Sequence, residues 1–137
     1  MAKLSIAYAV TAIVFILMDC CWLTFAGPVV YKPVLGPLLA DKVDTKAAVA
    51  FYLVYMTGLV VFAVRPALAS ADWRPAAGYG ALLGLVAYGA YDLTNQATLR
   101  AWSSRITAAD MGWGAFASAV SSTLGFLAAS TLGRGLR

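Results

Sequence analysis

Four long apolar segments constrain the fold of this chain more than any other feature. A helix needs roughly 20 apolar residues to cross the hydrocarbon core of a membrane. The composition agrees, because 62% of the residues are hydrophobic and 12% are charged, whereas soluble domains carry about 25% charged residues. We therefore predict an all-α integral membrane protein, with four transmembrane helices in an antiparallel bundle that forms a single domain over residues 1–137. The helices are predicted at about residues 4–26, 47–64, 75–97 and 112–132.

The distribution of positive charge bears on partners and on orientation. The chain has a net charge of +4, but its Lys and Arg residues are spread over every loop without a basic run, so nucleic acid is not an expected partner. The positive-inside rule is balanced, with Lys3, Arg65, Arg74, Arg134 and Arg137 on the N-terminal side and Lys32, Lys42, Lys46, Arg100 and Arg105 on the other. Because the amino terminus adds one charge and Asp41 and Asp44 offset the second group, we expect both termini to be cytoplasmic.

The residue types exclude several kinds of chemistry. The chain has no His, and its two cysteines, Cys20 and Cys21, are adjacent. A zinc site, a His-ligated haem and a His-based catalytic triad are therefore not expected. We interpret the cysteines as small apolar side chains within a helix, and we predict no cofactor and no metal site.

The connection between the first two helices, GPVVYKPVLGPLLADKVDTK, is unusual for a loop. Its three prolines, Pro28, Pro33 and Pro37, are predicted to prevent one continuous helix. Its Val and Leu content makes it too apolar for an ordinary solvated loop. We expect this segment to lie at the membrane interface or to fold back over the helices.

One face of the third helix changes from small to polar along its length. Residues separated by three, four, seven and eight positions share a helix face. The face that starts at Gly80 contains Gly80, Gly84, Tyr88, Tyr91, Asp92, Asn95, Gln96 and Leu99. Gly80 and Gly84 form a GxxxG pair, which lets another helix approach closely. Packing within the bundle is favoured over a dimer seam.

Alternating topology places several polar residues at the same side of the bundle. Asp19 lies near the end of the first helix and Asp92 near the end of the third, while Asp110 precedes the fourth helix and Lys46 and Tyr52 open the second. An Asp at the centre of a membrane helix costs ~2.5–3.5 kcal/mol on insertion scales, so inward-facing partners are expected. Two carboxyls close together would share a proton. Lys46, Arg100 and Arg105 are the candidate counter-ions.

The predicted polar cluster, which is also the candidate ligand-binding site, consists of Asp19, Trp22, Tyr52, Tyr88, Tyr91, Asp92, Asn95, Gln96, Asp110 and Trp113. The predicted helix-packing residues are Gly80, Gly84 and Gly114. Several of these residues have a simpler interpretation. Asp92 is equally compatible with a hydrogen bond to Thr or to backbone near the interface. Asp110 is more simply interpreted as an N-terminal cap of the fourth helix, and Trp102 and Trp113 as interfacial anchors.

Four blocks of the sequence resemble a known family. LMDCCW (17–22), FYLVYMTGLVVFAVRPAL (51–68), AYGAYDLTNQATLRAW (87–102) and DMGWG (110–114) are similar to the bacterial predicted membrane proteins grouped as domain of unknown function 2177. The resemblance implies a small polytopic protein of the bacterial inner membrane and no particular activity. One departure is that Ser103 follows Trp102 where the family is expected to have a Pro.

Three functions remain as alternatives. The first is a polar intramembrane pocket near one leaflet that binds or transfers a small amphipathic or lipid-like molecule. The second is an accessory subunit that packs against a larger membrane complex, or a homo-oligomer, through small-residue faces. The third is a lipid-modifying enzyme with Asp19 and Asp92 as acid and base, although the lack of His, of Glu and of a nucleophile–base motif weighs against it. A hard-cation site is a variant, because Asp19, Asp92, Asp110 and Asn95 offer oxygen ligands suited to Mg²⁺ or Ca²⁺.

Overall fold

The structure is a computed structural model that describes residues 2–133. Met1 and residues 134–137, which include Arg134 and Arg137 of the charge count, lie outside the described residues. The described chain forms four long helical stretches joined by short connections, so the predicted all-α class is confirmed. They are α1, Ala2–Leu38; α2, Thr45–Ser70; α3, Arg74–Thr98; and α4, Ser104–Leu132.

Three of these helices, α1, α2 and α4, are long and apolar enough within the described residues to cross a membrane. The fourth, α3, has 25 residues and is less apolar, because Gly, Ala and polar side chains occupy much of it. Large apolar side chains project outward from the packed helices. More than 60% of the surface is exposed at Leu17, Phe25, Val54 and Phe62. Apolar exposure on this scale indicates a surface that contacts lipid, and the protein is a multi-pass membrane protein.

The first helix does not end near residue 26 as predicted, and the break in the connection falls later, at residues 39–44. Helical backbone continues to Leu38, but it widens to a π-helix at Gly27–Tyr31 and tightens to a 3-10 helix at Gly36–Leu38. Lys32 donates its N–H to the Gly27 carbonyl, five residues back, immediately before Pro33. A proline ring crowds the carbonyl four residues earlier in an α-helix, and the wider π turn accommodates it.

A π-helical turn before a proline also occurs in α2. The segment Val60–Val64 is a π-helix, and Arg65 donates its N–H to the Val60 carbonyl just before Pro66. The helix continues after this turn to Ser70. Pro-containing sequence therefore lengthens both helices with a local change of winding instead of ending them. Single-turn π segments of this kind are frequent at functional sites.

Close packing of α3 against α4 runs along the GxxxG face. A Cβ atom on Gly80 would lie 2.8 Å from the Ser118 carbonyl oxygen, and one on Gly84 would overlap the Gly114 carbonyl. The Tyr88 ring covers Gly114 in the same way. The two helices therefore meet at backbone distance, and the GxxxG pair packs inside the chain, as the sequence analysis favoured.

The opposite face of α4 packs against α1. A Cβ atom on Gly125 would overlap the Thr11 hydroxyl and lie 3.1 Å from the Ala7 carbonyl oxygen. Ala117 and Ser121 are also fully buried. The small residues of α4 are therefore used for contacts within this chain.

The fourth helix begins eight residues earlier than predicted, at Ser104 instead of residue 112. Ser103 is its N-cap, and the Ser103 side chain accepts a hydrogen bond from the Ile106 N–H. The interpretation of Asp110 as a cap is wrong, since Asp110 lies in the second turn and is 6% exposed. Ser103 has a φ of −129°, which the proline expected there cannot adopt.

We predict that Gly84→Ala destabilises the protein by about 1–3 kcal/mol, because the added methyl group forces α3 away from the Gly114 backbone. Gly78→Ala is the matched control, since a Cβ on Gly78 meets no atom within 4 Å. On helix propensity alone both changes would be neutral or slightly stabilising. The measurement is the free energy of unfolding by denaturant titration in mild-detergent micelles. Equal stability of the two variants would contradict the packing described.

Candidate functional site

A cavity of about 850 Å³ opens at the end of the packed helices where the Gly27–Tyr31 π segment of α1 and the start of α2 are found. Two carboxyls and one ammonium group stand among walls that are otherwise aromatic and aliphatic. The lining residues are Asp19, Trp22, Leu23, Gly27, Pro28, Tyr31, Lys32, Leu35, Leu39, Phe51, Ala87, Tyr88, Tyr91 and Asp110. Five of the ten residues of the predicted polar cluster are among them.

Asp19 is held by the start of α2. The Tyr52 hydroxyl donates a hydrogen bond of 2.6 Å to Asp19 Oδ2. Asp19 is 7% exposed and faces the cavity. The Phe15 ring packs edge-on against Tyr52, with ring centroids 6.4 Å apart. Asp19 and Tyr52, which the sequence places on the same side of the helices, are in direct contact in the structure.

Tyr31 joins the π segment of α1 to α4. The Trp22 indole N–H donates a hydrogen bond of 2.8 Å to the Tyr31 hydroxyl oxygen. The same hydroxyl donates to Asp110 Oδ1. Trp22 also stacks on Trp113, with ring centroids 4.8 Å apart and an interplanar angle of 8°. Side-chain contacts thus draw the Gly27–Tyr31 segment across the polar end of the cavity.

The carboxyl pair in this structure is Asp92 with Asp110, not Asp19 with Asp92. Asp92 is fully buried, and Asp110 is the acidic side chain that neighbours it. Within residues 2–133 no donor reaches either oxygen of Asp92, so the alternative of a Thr or backbone partner is not seen. Ionised carboxylates are acceptors only, and the contact is a hydrogen bond only when one of the two carries a proton.

The remaining predicted cluster residues fall into two groups. Tyr88 and Tyr91 line the cavity, and Asn95 lies within reach of the Tyr91 hydroxyl. Gln96 is drawn away from the cavity toward α4, where its Oε1 accepts a 2.6 Å hydrogen bond from Thr107.

Trp102 completes this connection by donating its indole N–H to the Thr107 hydroxyl at 3.0 Å. Gln96 and Trp102 therefore tie the loop between α3 and α4 to the start of α4. They stand outside the lining of the cavity. Trp102 also packs edge-on against the Tyr91 ring, with centroids 5.7 Å apart.

Nine lining residues were not predicted, and they include Tyr31, Lys32, Leu35, Leu39 and Phe51. The other four are Leu23, Gly27, Pro28 and Ala87. Of the first five, four come from one part of the chain. All but Phe51 lie in the Pro-rich segment, whose unusual apolar character was the available signal. Tyr31 is its single aromatic residue, and that combination marks it as the side chain able to reach inward. Lys32 lines the cavity, instead of the candidate counter-ions Lys46, Arg100 and Arg105.

The comparisons with known proteins agree with this architecture. The fold and the site define a multi-pass helical membrane protein with a largely apolar cavity and carboxyls at its polar end. The chain belongs to the family described as predicted membrane protein DUF2177, which matches residues 4–127. No curated protein and no solved structure matches the chain. Within the described residues, no group of three or more His, Cys, Asp or Glu is placed to hold a metal ion.

We predict that Tyr31→Phe lowers the free energy of unfolding by about 1–3 kcal/mol, because it removes the donor to the buried Asp110 carboxyl. In an Asp110→Ala background the same change should cost much less, since the acceptor is gone. Tyr79→Phe is the control, on a ring that is 52% exposed. The measurement is denaturant titration of the four proteins and the control in mild-detergent micelles. Additive costs in the double variant would show that Tyr31 and Asp110 do not interact.

Proposed function

We propose that the protein binds or transfers a small amphipathic, lipid-like molecule in the cavity between α1, α2, α3 and α4. The observation that carries this proposal is the composition of the lining. Aliphatic and aromatic side chains form most of the walls, and the carboxyls of Asp19 and Asp110 stand among them together with the Tyr31 hydroxyl. A volume of about 850 Å³ falls in the range of small-molecule sites, which are mostly apolar with a few polar groups that fix orientation.

The mouth of the cavity supports access from the lipid phase. Leu23, Leu39 and Phe51 line the cavity and are each between 44% and 50% exposed. An apolar chain can therefore lie along these residues while a polar group reaches Asp19 and Asp110. The Gly27–Tyr31 segment, held by Tyr31, stands between this mouth and the headgroup region.

The two alternative functions have less support. The small-residue faces that suggested an accessory subunit are occupied inside the chain, where Gly80, Gly84 and Gly125 contact neighbouring helices. An enzyme with Asp19 and Asp92 as acid and base requires both carboxyls to face a substrate. Asp92 does not line the cavity, and its acidic neighbour is Asp110, not Asp19.

We further propose that all four helices cross the bacterial inner membrane and that both termini are cytoplasmic. Support comes from the length of α3, 25 residues, and from its packing against α4, which is long and apolar enough to cross. Under this arrangement the cavity lies at the periplasmic leaflet.

Ligand binding is tested by filling the cavity. We predict that wild-type protein, purified in mild detergent, carries an amphipathic molecule visible as added mass in its native mass spectrum. Ala87→Phe should lose this mass, because Ala87 lines the cavity. Ala90→Phe is the matched control, since Ala90 is exposed one helical turn further along α3. An identical mass spectrum for the two variants would contradict the proposed site.

Topology is tested by cysteine labelling in a background that lacks Cys20 and Cys21. We predict that Arg100→Cys reacts with a membrane-impermeant maleimide from the periplasmic side of spheroplasts. Ser70→Cys should react only after permeabilisation, because α3 separates the two positions. Labelling of both positions from one side would show that α3 does not cross, and the reversed pattern would invert the orientation while keeping four spans.

A further inference from the structure

The two carboxyls that line the cavity have acceptor sites that the protein leaves unused. The donors recorded next to them are engaged inside the protein: Trp22 donates to Tyr31, Tyr31 donates to Asp110, and Tyr52 donates to Asp19. A carboxylate has about four lone-pair sites. In the described chain Asp19 Oδ2 and Asp110 Oδ1 take one donor each from these tyrosines. A ligand that donates hydrogen bonds can therefore use the remaining acceptor sites of both carboxyls.

The charge of the lining also favours a ligand with a positively charged group. The chain as a whole is basic, with a net charge of +4. Yet two of its six acidic residues, Asp19 and Asp110, line the cavity, and a third, Asp92, neighbours Asp110 outside the lining. Lys32, the cation among the described lining residues, is an exposed side chain at the mouth. An anionic headgroup would meet two carboxyls at the deeper end, whereas a cation would be stabilised there.

The walls beside these carboxyls are aromatic. Trp22, Tyr31, Phe51, Tyr88 and Tyr91 all line the cavity. The negative face of an aromatic ring attracts ammonium groups, by about 0.5–1 kcal/mol at exposed sites and about 2 kcal/mol or more when water is excluded. Rings combined with carboxylates are a recognised environment for organic cations. Neither feature assists a carboxylate or a phosphate.

We infer that the molecule bound in this cavity is an amphipathic amine, with a protonated amino group that donates hydrogen bonds to Asp19 and Asp110 and an apolar chain along Leu23, Leu39 and Phe51. This inference rests on the proposed function and adds the headgroup class to it. A protonated amine supplies up to three donors and a positive charge. It is the head that matches both the unused acceptors and the acidic lining.

The test compares three probes with the same chain and different heads: dodecylammonium, dodecanol and dodecanoate. Binding to full-length protein in a non-ionic detergent is measured by isothermal titration calorimetry at neutral pH. We expect dodecylammonium to bind roughly tenfold or more tighter than dodecanol, on the magnitude of charge-assisted hydrogen bonds. Dodecanoate should bind weakest.

Two variants connect the preference to the carboxyls. Asp19→Asn and Asp110→Asn each keep the shape of the side chain and remove its charge, and each should reduce the preference for dodecylammonium over dodecanol by roughly tenfold. Retained binding of dodecanol shows that the variant is folded. Asp41→Asn is the control, at an exposed position after α1, and should leave the preference unchanged.

The outcomes separate the inference from the proposed function. Equal binding of dodecanol and dodecylammonium, or a preference for dodecanoate, overturns the amine assignment but leaves an amphipathic site. A preference that survives in both Asn variants also overturns it, because the carboxyls would then not be the acceptors. If no probe binds in a way that Ala87→Phe abolishes and Ala90→Phe preserves, the proposed cavity function itself fails.

Discussion

Backbone contact between α3 and α4 is the interaction on which the rest of the site depends. Gly84 meets the Gly114 carbonyl so closely that no side chain fits between the helices. In an antiparallel pair this contact fixes the register along the whole seam. One turn further along α3, Tyr88 covers Gly114, and the next turn places Asp92 beside Asp110. Gln96 then reaches Thr107. A larger distance between α3 and α4 would move the residues of all these pairs apart at the same time.

Polar side chains between the helices form hydrogen bonds with one another. This follows from the register and from the free-energy cost of leaving polar groups unpaired in an apolar environment. Asp110 is reached by Tyr31 from α1, and Asp19 by Tyr52 from α2. Each carboxyl thus connects two different helices. The pairs do not saturate the carboxyls, however, and the unused acceptors face a cavity with apolar walls. The arrangement that stabilises the assembly also leaves a polar anchor for a ligand.

Proline has an unusual role in forming this site. Pro33 follows a π turn that keeps α1 helical beyond Ala26, and the extra residue in that turn rotates the following side chains relative to an α-helix. Tyr31 and Lys32 reach the cavity from this turn. A loop at the same place would not hold Tyr31 between Trp22 and Asp110. The local winding of the backbone is therefore part of the site.

The sequence by itself determined the class of protein, the four helices and the side of the assembly where the acidic residues gather. Hydrophobic length and alternating direction suffice for these, and they place Asp19 and Tyr52 on the same side. It did not determine which carboxyls pair, because Asp92 approaches Asp110 only through the glycine contact between α3 and α4. Nor did it reveal Tyr31 and Lys32 as lining residues, since Pro28 and Pro33 predict a helix break. Only the tertiary structure decided these points, because helix register and π winding depend on packing between segments distant in sequence.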